Sequence, residues 1–183
     1  MENSLDVVVY MGGCCGDLIA ALIDPQTAEF KNTTVTFDAD RTRLKKPHMF
    51  ACDEDKDQYI LTASAKYQSI SSHDLEYHIR RQHKFTGIAV KHWDVALWAA
   101  SRFKELHYPH VWAEMTAVCG ADTVEGYAQM MIDFSNLITQ HTDRIVTLES
   151  ICAGTALDNP ILQHANKEFY QNWLNLQTVI VQS

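Results

Sequence analysis

The fold is decided by the stretch Leu5–Ile23, which reads LDVVVYM, GGCCG and DLIAALI in three consecutive parts. The first part, Leu5–Met11, is apolar and rich in β-branched residues, which is typical of a buried strand. The glycines of Gly12–Gly16 break this strand, because glycine favours turns. Asp17 then opens an apolar segment, and an acidic residue is favourable at the start of a helix. The stretch therefore predicts a strand, a glycine-rich turn and a helix.

The rest of the chain repeats this alternation. Further strands are predicted at Phe85–Val90 and Asp143–Leu148, and shorter ones around Val35–Phe37 and at Gln68–Ser71. Helices are predicted at Asp53–Tyr67, from Ser72 or His73 through Gln82, at Val95–His107, from Pro109 through Val118, from Thr123 to about His141, and at Ile161–Leu176. Alternating strands and helices indicate an α/β fold with a parallel sheet. We expect residues 1–183 to form one domain, a three-layer parallel sheet of four to five strands flanked by helices.

The expected ligand site lies at one edge of this sheet. In open α/β sheets, ligands bind at the carboxyl ends of the strands, at a point where the strand order reverses. Four parts of the chain follow predicted strands and should meet at that edge: Gly12–Asp17, His73, Lys91–Asp94 and Glu149.

The glycine turn itself predicts an anion cradle. Glycines allow positive φ angles, and the N–H groups at a helix start point at a bound phosphate. However, Gly12-Gly13-Cys14-Cys15-Gly16-Asp17 lacks the Lys and the Ser/Thr of the Walker pattern, and Asp17 brings a carboxylate. Two other interpretations stay open. The turn is a plain β–α turn with Asp17 as a helix cap, or Asp17 holds a metal or a substrate cation.

Several side chains are candidates for acid–base chemistry. His73 and His92 each follow a strand at the expected ligand edge, and a neutral imidazole there can take a proton from an acceptor hydroxyl. Asp74 and His78 are spaced four residues apart, so the pair can orient a base or bind a metal; otherwise Asp74 is a helix cap and His78 faces solvent. Cys14 and Cys15 lie at a helix start and are either reactive thiols or small residues that fit a tight turn.

Charge and composition exclude several functions. The chain has 15 Lys+Arg and 23 Asp+Glu, a net charge of −8, which disfavours general binding to nucleic acid or anionic membranes. No apolar run approaches the roughly 18 residues that span a bilayer, and no signal-peptide pattern is present, so we expect a cytoplasmic protein without disulfides. The expected partner is a small molecule or nucleotide. Phe169, Tyr170 and Trp173 on the last helix pack on the sheet edge or form a homodimer contact.

With this layout, the chain resembles the sulfotransferase branch of the P-loop nucleoside-triphosphatase fold. Cys14–Leu18 falls in the register of a loop that runs Lys/Arg-Ser-Gly-Thr-Thr in that family. Val90–Trp98 takes the place of a strand end that runs Arg-Asp-Pro-Arg-Asp-Val-Ala-x-Ser, and Ile145–Ile151 is similar to a strand that leads into a Tyr-Glu-Asp-Leu-like segment. The identities are Gly16, Asp94, Val95, Ala96 and Glu149. Compact proteins of this shape also resemble those that viral genomes carry.

The resemblance implies a group transferase. Its cofactor would be a 3′-phosphoadenosine or other nucleotide donor held by Gly12–Asp17, and a sulfonyl or phosphoryl group would pass to a hydroxyl or amine. Cys14, Asp17, Val90 and Trp98 replace the donor-holding residues of the family. Lys91 or Arg102 is expected to substitute for them, and Arg80 or Arg81 to help offset the donor charge. His73 or His92 would be the base, oriented by Asp74 or Glu149.

Two alternatives accompany this interpretation. The first is a non-catalytic protein that retains the P-loop fold as a scaffold for binding a partner, in which Cys14 and Asp17 mark the lost chemistry. The second is a metal-dependent hydrolase that uses Asp17, His73 and Asp74.

Overall fold

The computed structural model of the protein describes residues 4–24, 46–106, 112–113, 116–117 and 120–182. Within these ranges, four strands form one all-parallel sheet in the order β2–β1–β3–β4. The strands are β1 (Asp6–Val9), β2 (Ser69–Ser72), β3 (Phe85–Ala89) and β4 (Ile145–Thr147). The α/β fold predicted from the sequence is therefore confirmed at the level of a four-stranded parallel sheet flanked by helices.

Helices connect and cover these strands. In the described ranges they are α1 (Gly16–Ile23), α2 (Asp53–Ser64), α3 (Leu75–Arg80), α4 (Trp93–Leu106), α5 (Val124–His141), α6 (Leu148–Cys152) and α7 (Lys167–Gln182). Short 3-10 turns occur at Pro47–Met49, Ala156–Asp158 and Pro160–Leu162. None of the helices in the described part of the chain is long and apolar enough to cross a bilayer.

The sheet separates two apolar clusters, because successive side chains of a strand point to opposite faces. Val8 of β1 belongs to the larger cluster, which includes residues of α1, α4, α5 and α6. Val7 and Val9 belong to the smaller cluster, together with Ala63 of α2 and Leu75 of α3. A strand that is buried on both faces needs a continuous apolar run, and this explains the sequence of β1.

The strand order locates the switch point of the sheet, where two successive connections run in opposite directions from β1. Val7 pairs with Ile70 of β2 on one side and with Phe85 of β3 on the other. The chain thus passes from β1 to a strand on one side and then crosses to the other side. The two connections diverge between the carboxyl ends of β1 and β3, and a crevice for ligands is expected at this position.

Some predicted boundaries are wrong. The strand predicted at Asp143–Leu148 ends at Thr147, because the Thr147 hydroxyl accepts a hydrogen bond from the Ser150 amide and starts α6. The closing helix begins at Lys167 rather than Ile161, since Pro160–Leu162 form a separate 3-10 turn. The cap of α3 is Asp74, not Ser72 or His73. The strand around Val35–Phe37 and most of the helix at 109–118 lie outside the described residues.

Candidate functional site

The glycine turn ends in a helix start that offers hydrogen-bond donors. Gly13 and Cys15 have positive φ angles, 95° and 61°, and Cys15 is the N-terminal cap of α1 without a side-chain capping bond. The first N–H groups of a helix have no acceptor within the helix, and the helix dipole makes this end positive. The amides of Gly16, Asp17 and Leu18 precede the first intrahelical bond, from Ile19 to Cys15, and of these three residues Asp17 is partly exposed whereas Gly16 and Leu18 are buried.

The turn is also closely packed against neighbouring side chains. A Cβ atom at Gly12 would lie 3.0 Å from the Tyr127 hydroxyl, and one at Gly13 would lie 3.0 Å from Cε of Met131. A Cβ atom at Gly16 would lie 2.1 Å from the Tyr10 ring. The glycines are therefore needed for close packing on α5 and on Tyr10, independently of any ligand.

Beside this turn, three side chains contact the ammonium of Lys46, and a fourth contacts one of these three. Its Nζ atom lies 3.1 Å from the carboxylate of Asp17, donates to the Tyr10 hydroxyl and lies 3.4 Å from Nε2 of His73. The hydroxyl of Ser71 donates to Asp17. The Lys46 side chain is only 7% exposed, whereas that of Asp17 is 25% exposed. We call these five residues the Lys46 cluster; it joins α1 to the ends of β1 and β2.

The hydrogen bonds of His73 define its tautomer. Nδ1 lies 2.9 Å from the carbonyl oxygen of Tyr10, and a carbonyl only accepts, so Nδ1 carries the proton. Nε2 then presents a lone pair and accepts from Lys46. Burial, followed by the nearby charge of Lys46, lowers the pKa of His73 to about 3. His73 is therefore a neutral imidazole with both nitrogens engaged.

A second cation reaches the turn from α4. The positive charge of Arg102 acts on the thiol of Cys15 and opposes a rise in its pKa, and the guanidinium lies 5.3 Å from the centre of the Trp98 ring. Burial raises the pKa of Cys15 to about 12, even though Arg102 opposes this, and burial likewise raises the pKa of Cys14. Both thiols are therefore protonated near neutral pH, which favours their role as small packing residues.

The carboxylate of Glu149, which follows β4, reaches the carboxyl end of β3. Its Oε1 atom accepts hydrogen bonds from the backbone amides of Lys91 at 2.8 Å and His92 at 2.9 Å. This carboxylate therefore satisfies the amides that lead into α4. Lys91 and His92 are themselves exposed. The sequence predicted that these residues would meet Glu149 at this edge, and the contact is made through the backbone.

The Asp74 and His78 pair predicted from spacing is divided between two separate networks. Asp74 caps α3 by accepting from the Tyr77 amide at 3.2 Å, and its other oxygen lies 2.6 Å from Nζ of Lys56. His78 is fully buried and faces the Ser72 hydroxyl at 2.8 Å and the His83 ring. Capping by Asp74 is thus confirmed, whereas a solvent-facing His78 is wrong.

The two arginines of α3 are also held away from the glycine turn. Arg80 pairs with Asp53 at 3.1 Å, and Arg81 forms two hydrogen bonds with Asp57, at 3.0 and 2.7 Å. These pairs fasten α3 to α2, so both guanidinium groups are already paired with carboxylates.

The sequence predictions and the structure therefore agree on the sheet edge at which the candidate residues meet, but they differ on the residue at the centre of this group. Asp17 and His73 come together around Lys46, and Arg102 reaches Cys15. Lys46 was missed as a site residue. Its one signal in the sequence is its place at the end of RTRLKK, residues 41–46, and the distance of 29 positions along the chain from Asp17 gives no sign of their contact.

An open cavity of about 460 Å³ lies at the other edge of the sheet. It is lined by residues 83–85 and 139–144, which precede β3 and β4. The cavity is thus at the amino ends of the strands, away from the glycine turn and the Lys46 cluster.

Comparisons with known proteins give no match to a family model, a curated protein or a solved structure.

Proposed function

We propose that this protein binds a phosphate-bearing anion, such as a nucleotide donor, at the start of α1 and transfers a phosphoryl or sulfonyl group from it to a hydroxyl or amine. One observation carries the proposal. Two cations from different parts of the chain reach the first residues of α1, Lys46 at Asp17 and Arg102 at Cys15. Both residues that they reach lie at the start of α1, which follows β1 at the switch point of the sheet.

These cations supply what the glycine turn lacks in its own sequence. A transferring phosphoryl group spreads negative charge over its oxygens, and fixed positive charges stabilise that distribution. In the proposed site, Lys46 neutralises the Asp17 carboxylate that would otherwise repel an anion, and the guanidinium of Arg102 adds positive charge beside Cys15. The start of α4 is already occupied by the Glu149 carboxylate, which leaves the start of α1 as the anion site of this edge.

Asp17 is compatible with this site because its charge is already balanced. Its carboxylate is bound by Lys46 and by the Ser71 hydroxyl. Asp17 does hold a cation, and that cation is the ammonium of Lys46. The same contact disfavours a metal-dependent hydrolase, because Lys46 lies between Asp17 and His73, where a metal would have to sit. No group of three metal-ligating side chains occurs among the residues that the structure describes.

A thermal-shift panel tests the proposal with the full chain. The ligands are inorganic pyrophosphate, ATP and 3′-phosphoadenosine-5′-phosphate. A ligand at a hundredfold excess over its Kd stabilises the folded state by about 2.7 kcal/mol. We expect this stabilisation in the wild type and a large loss of it in Lys46→Met, which removes the charge but keeps most of the side-chain stem.

Lys56→Met is the matched control. Lys56 is also a largely buried lysine, with a side chain 12% exposed, and it pairs with Asp74 rather than with Asp17. Its removal should lower the melting temperature of the free protein without reducing the shift on ligand addition. Equal shifts in Lys46→Met and wild type, or no shift with any of the three ligands, would contradict the proposed function.

A second function is supported by the packing of the turn. Phe103, Tyr127 and Met131 lie against the positions where Gly12 and Gly13 would carry side chains. This packing favours a non-catalytic protein in which the same turn is a structural element of a binding scaffold. The panel separates the two functions, because the scaffold predicts no response to pyrophosphate.

A further inference from the structure

The proposed transfer needs a group that exchanges a proton with the acceptor, and His73 is unsuited to this role. Its Nδ1 proton is donated to the Tyr10 carbonyl, and its Nε2 lone pair accepts from Lys46. A base must present a lone pair to the acceptor within hydrogen-bond reach. His73 would have to break the Lys46 cluster to do so.

A second histidine, His48, lies directly on His73. The two ring centres are 4.9 Å apart, with planes inclined by 52°, and the centre of the Tyr10 ring also lies 4.2 Å from that of His73. His48 belongs to the 3-10 turn that begins one residue after Lys46, and it is exposed. Within the described ranges, neither ring nitrogen of His48 makes a hydrogen bond.

We propose that His48 is the acid–base residue of this site and that His73 is a positioning residue, which holds Lys46 through Nε2 and supports the His48 ring. This inference rests on the proposed function. The substrate class is then a phosphate-bearing donor with a neutral hydroxyl or amine acceptor, because only such an acceptor must release a proton. The sequence did not single out His48, since it does not follow a predicted strand.

The proposed transfer forms one bond and breaks one bond. The acceptor oxygen or nitrogen forms a bond to the phosphorus or sulfur of the transferred group, while the bond from that atom to the bridging oxygen of the donor breaks. The bridging oxygen keeps the electron pair and leaves as a phosphate of the donor. The acceptor proton passes to a ring nitrogen of His48, and solvent later removes it.

The charges around His48 define its proton affinity. Partial desolvation of the ring by its neighbours, and then the ammonium of Lys46, lower the pKa of His48, with a smaller contribution of the same sign from Lys56. Asp74 and Asp17 act in the opposite direction, and the neutral ring of His73 faces it directly. His48 is thus neutral at physiological pH in the free protein. An anion bound nearby stabilises the imidazolium, so binding should be accompanied by proton uptake at His48.

Calorimetry of pyrophosphate binding measures this uptake. Titrations at pH 6.5 in two buffers with different ionisation enthalpies give the number of protons taken up. We expect the wild type to take up at least about 0.3 proton more than His48→Gln, because linkage requires uptake when binding raises a pKa. The protons of pyrophosphate itself cancel in this difference.

Carbethoxylation by diethyl pyrocarbonate tests the contact independently. At tenfold excess of pyrophosphate over its Kd, about a tenth of the sites are free, so modification of His48 should slow about tenfold. The exposed His141 and His164 serve as internal controls and should react at unchanged rates. His73→Asn keeps an N–H for the Tyr10 carbonyl but loses the ring, and it should reduce proton uptake by His48.

The outcomes separate this inference from the proposed function. If the wild type does not bind pyrophosphate, the proposed function fails and the inference fails with it. If pyrophosphate binds in a Lys46-dependent manner but leaves the reactivity of His48 and the proton uptake unchanged, the inference alone is overturned. Unchanged proton uptake in His73→Asn would overturn the positioning role.

Discussion

Lys46 brings a positive charge to a place where the sequence presents a carboxylate. An aspartate in the first turn after a glycine loop argues against phosphate binding when it is considered alone. In the structure, however, Asp17 is one of three groups that hold a buried ammonium, together with Tyr10 and His73. The charge that matters for a ligand is therefore that of the whole cluster, and a linear pattern of residue types does not contain it.

Gly16 provides the sharpest test of the turn at the level of a single residue. A Cβ atom there would lie 2.1 Å from the Tyr10 ring, which is far closer than side-chain atoms pack. We expect Gly16→Ala to lower the free energy of unfolding by about 1–3 kcal/mol, the usual cost of overpacking. Urea unfolding followed by circular dichroism measures the change.

Gly126→Ala is the control for this substitution. Gly126 also lies in the first turn of a helix, and its nearest neighbour would be the Thr123 hydroxyl at 3.0 Å. Its replacement should change stability by less than about 1 kcal/mol, because alanine is the better helix former and the hydroxyl can adjust. Similar losses in both variants would show that the Tyr10 contact does not explain the glycine.

At the scale of elements, the sequence predicted the strands and most helices because each has a local signal. Apolar β-branched runs indicated β1 and β3, and Thr123 with Gly126 marked the start of α5, where the threonine hydroxyl accepts from the Gly126 amide. The order of the strands and the contact between Lys46 and α1 have no such signal. They depend on pairings between distant residues, which only the folded chain brings together.

The contact between β3 and α5 illustrates such a distant pairing. A Cβ atom at Gly87 would lie 2.3 Å from Cγ2 of Ile138, so the helix rests directly on the strand backbone. We expect Gly87→Ala to destabilise the protein by about 1–3 kcal/mol and Ile138→Ala by about 2–5 kcal/mol. The double variant should lose at least about 1 kcal/mol less than the sum, since each change relieves the other.

Denaturant unfolding of the two single variants and the double variant gives this interaction energy. Additive losses, within about 0.5 kcal/mol, would mean that Ile138 moves aside freely and that α5 is not seated on Gly87.

At the scale of the whole molecule, buried histidines make stability depend on pH. Burial lowers the pKa of both His73 and His78 to about 3, against 6.5 in an unfolded chain. Between these values the unfolded state binds more protons than the folded state, so stability is full above pH 6.5 and falls as the pH is lowered toward 3. Each histidine contributes up to about 1.4 kcal/mol per pH unit in this range.

Unfolding free energies at pH 7.5, 6.0 and 5.0 measure this dependence. His78→Gln should make the acid loss shallower, since it removes one titrating ring while keeping a partner for the Ser72 hydroxyl. His164→Gln, at an exposed position, is the control. An equally steep loss in His78→Gln and wild type would show that His78 does not drive the acid response.

The central position of β1 has a consequence for synthesis on the ribosome. Its partners are residues 69–72 on one side and 85–89 on the other, so β1 has no second neighbour until residue 89 has been made. Translation at about 5–20 residues per second leaves this apolar segment without neighbours for several seconds. During that interval both edges of β1 are unpaired, and unpaired strand edges are sites of aggregation.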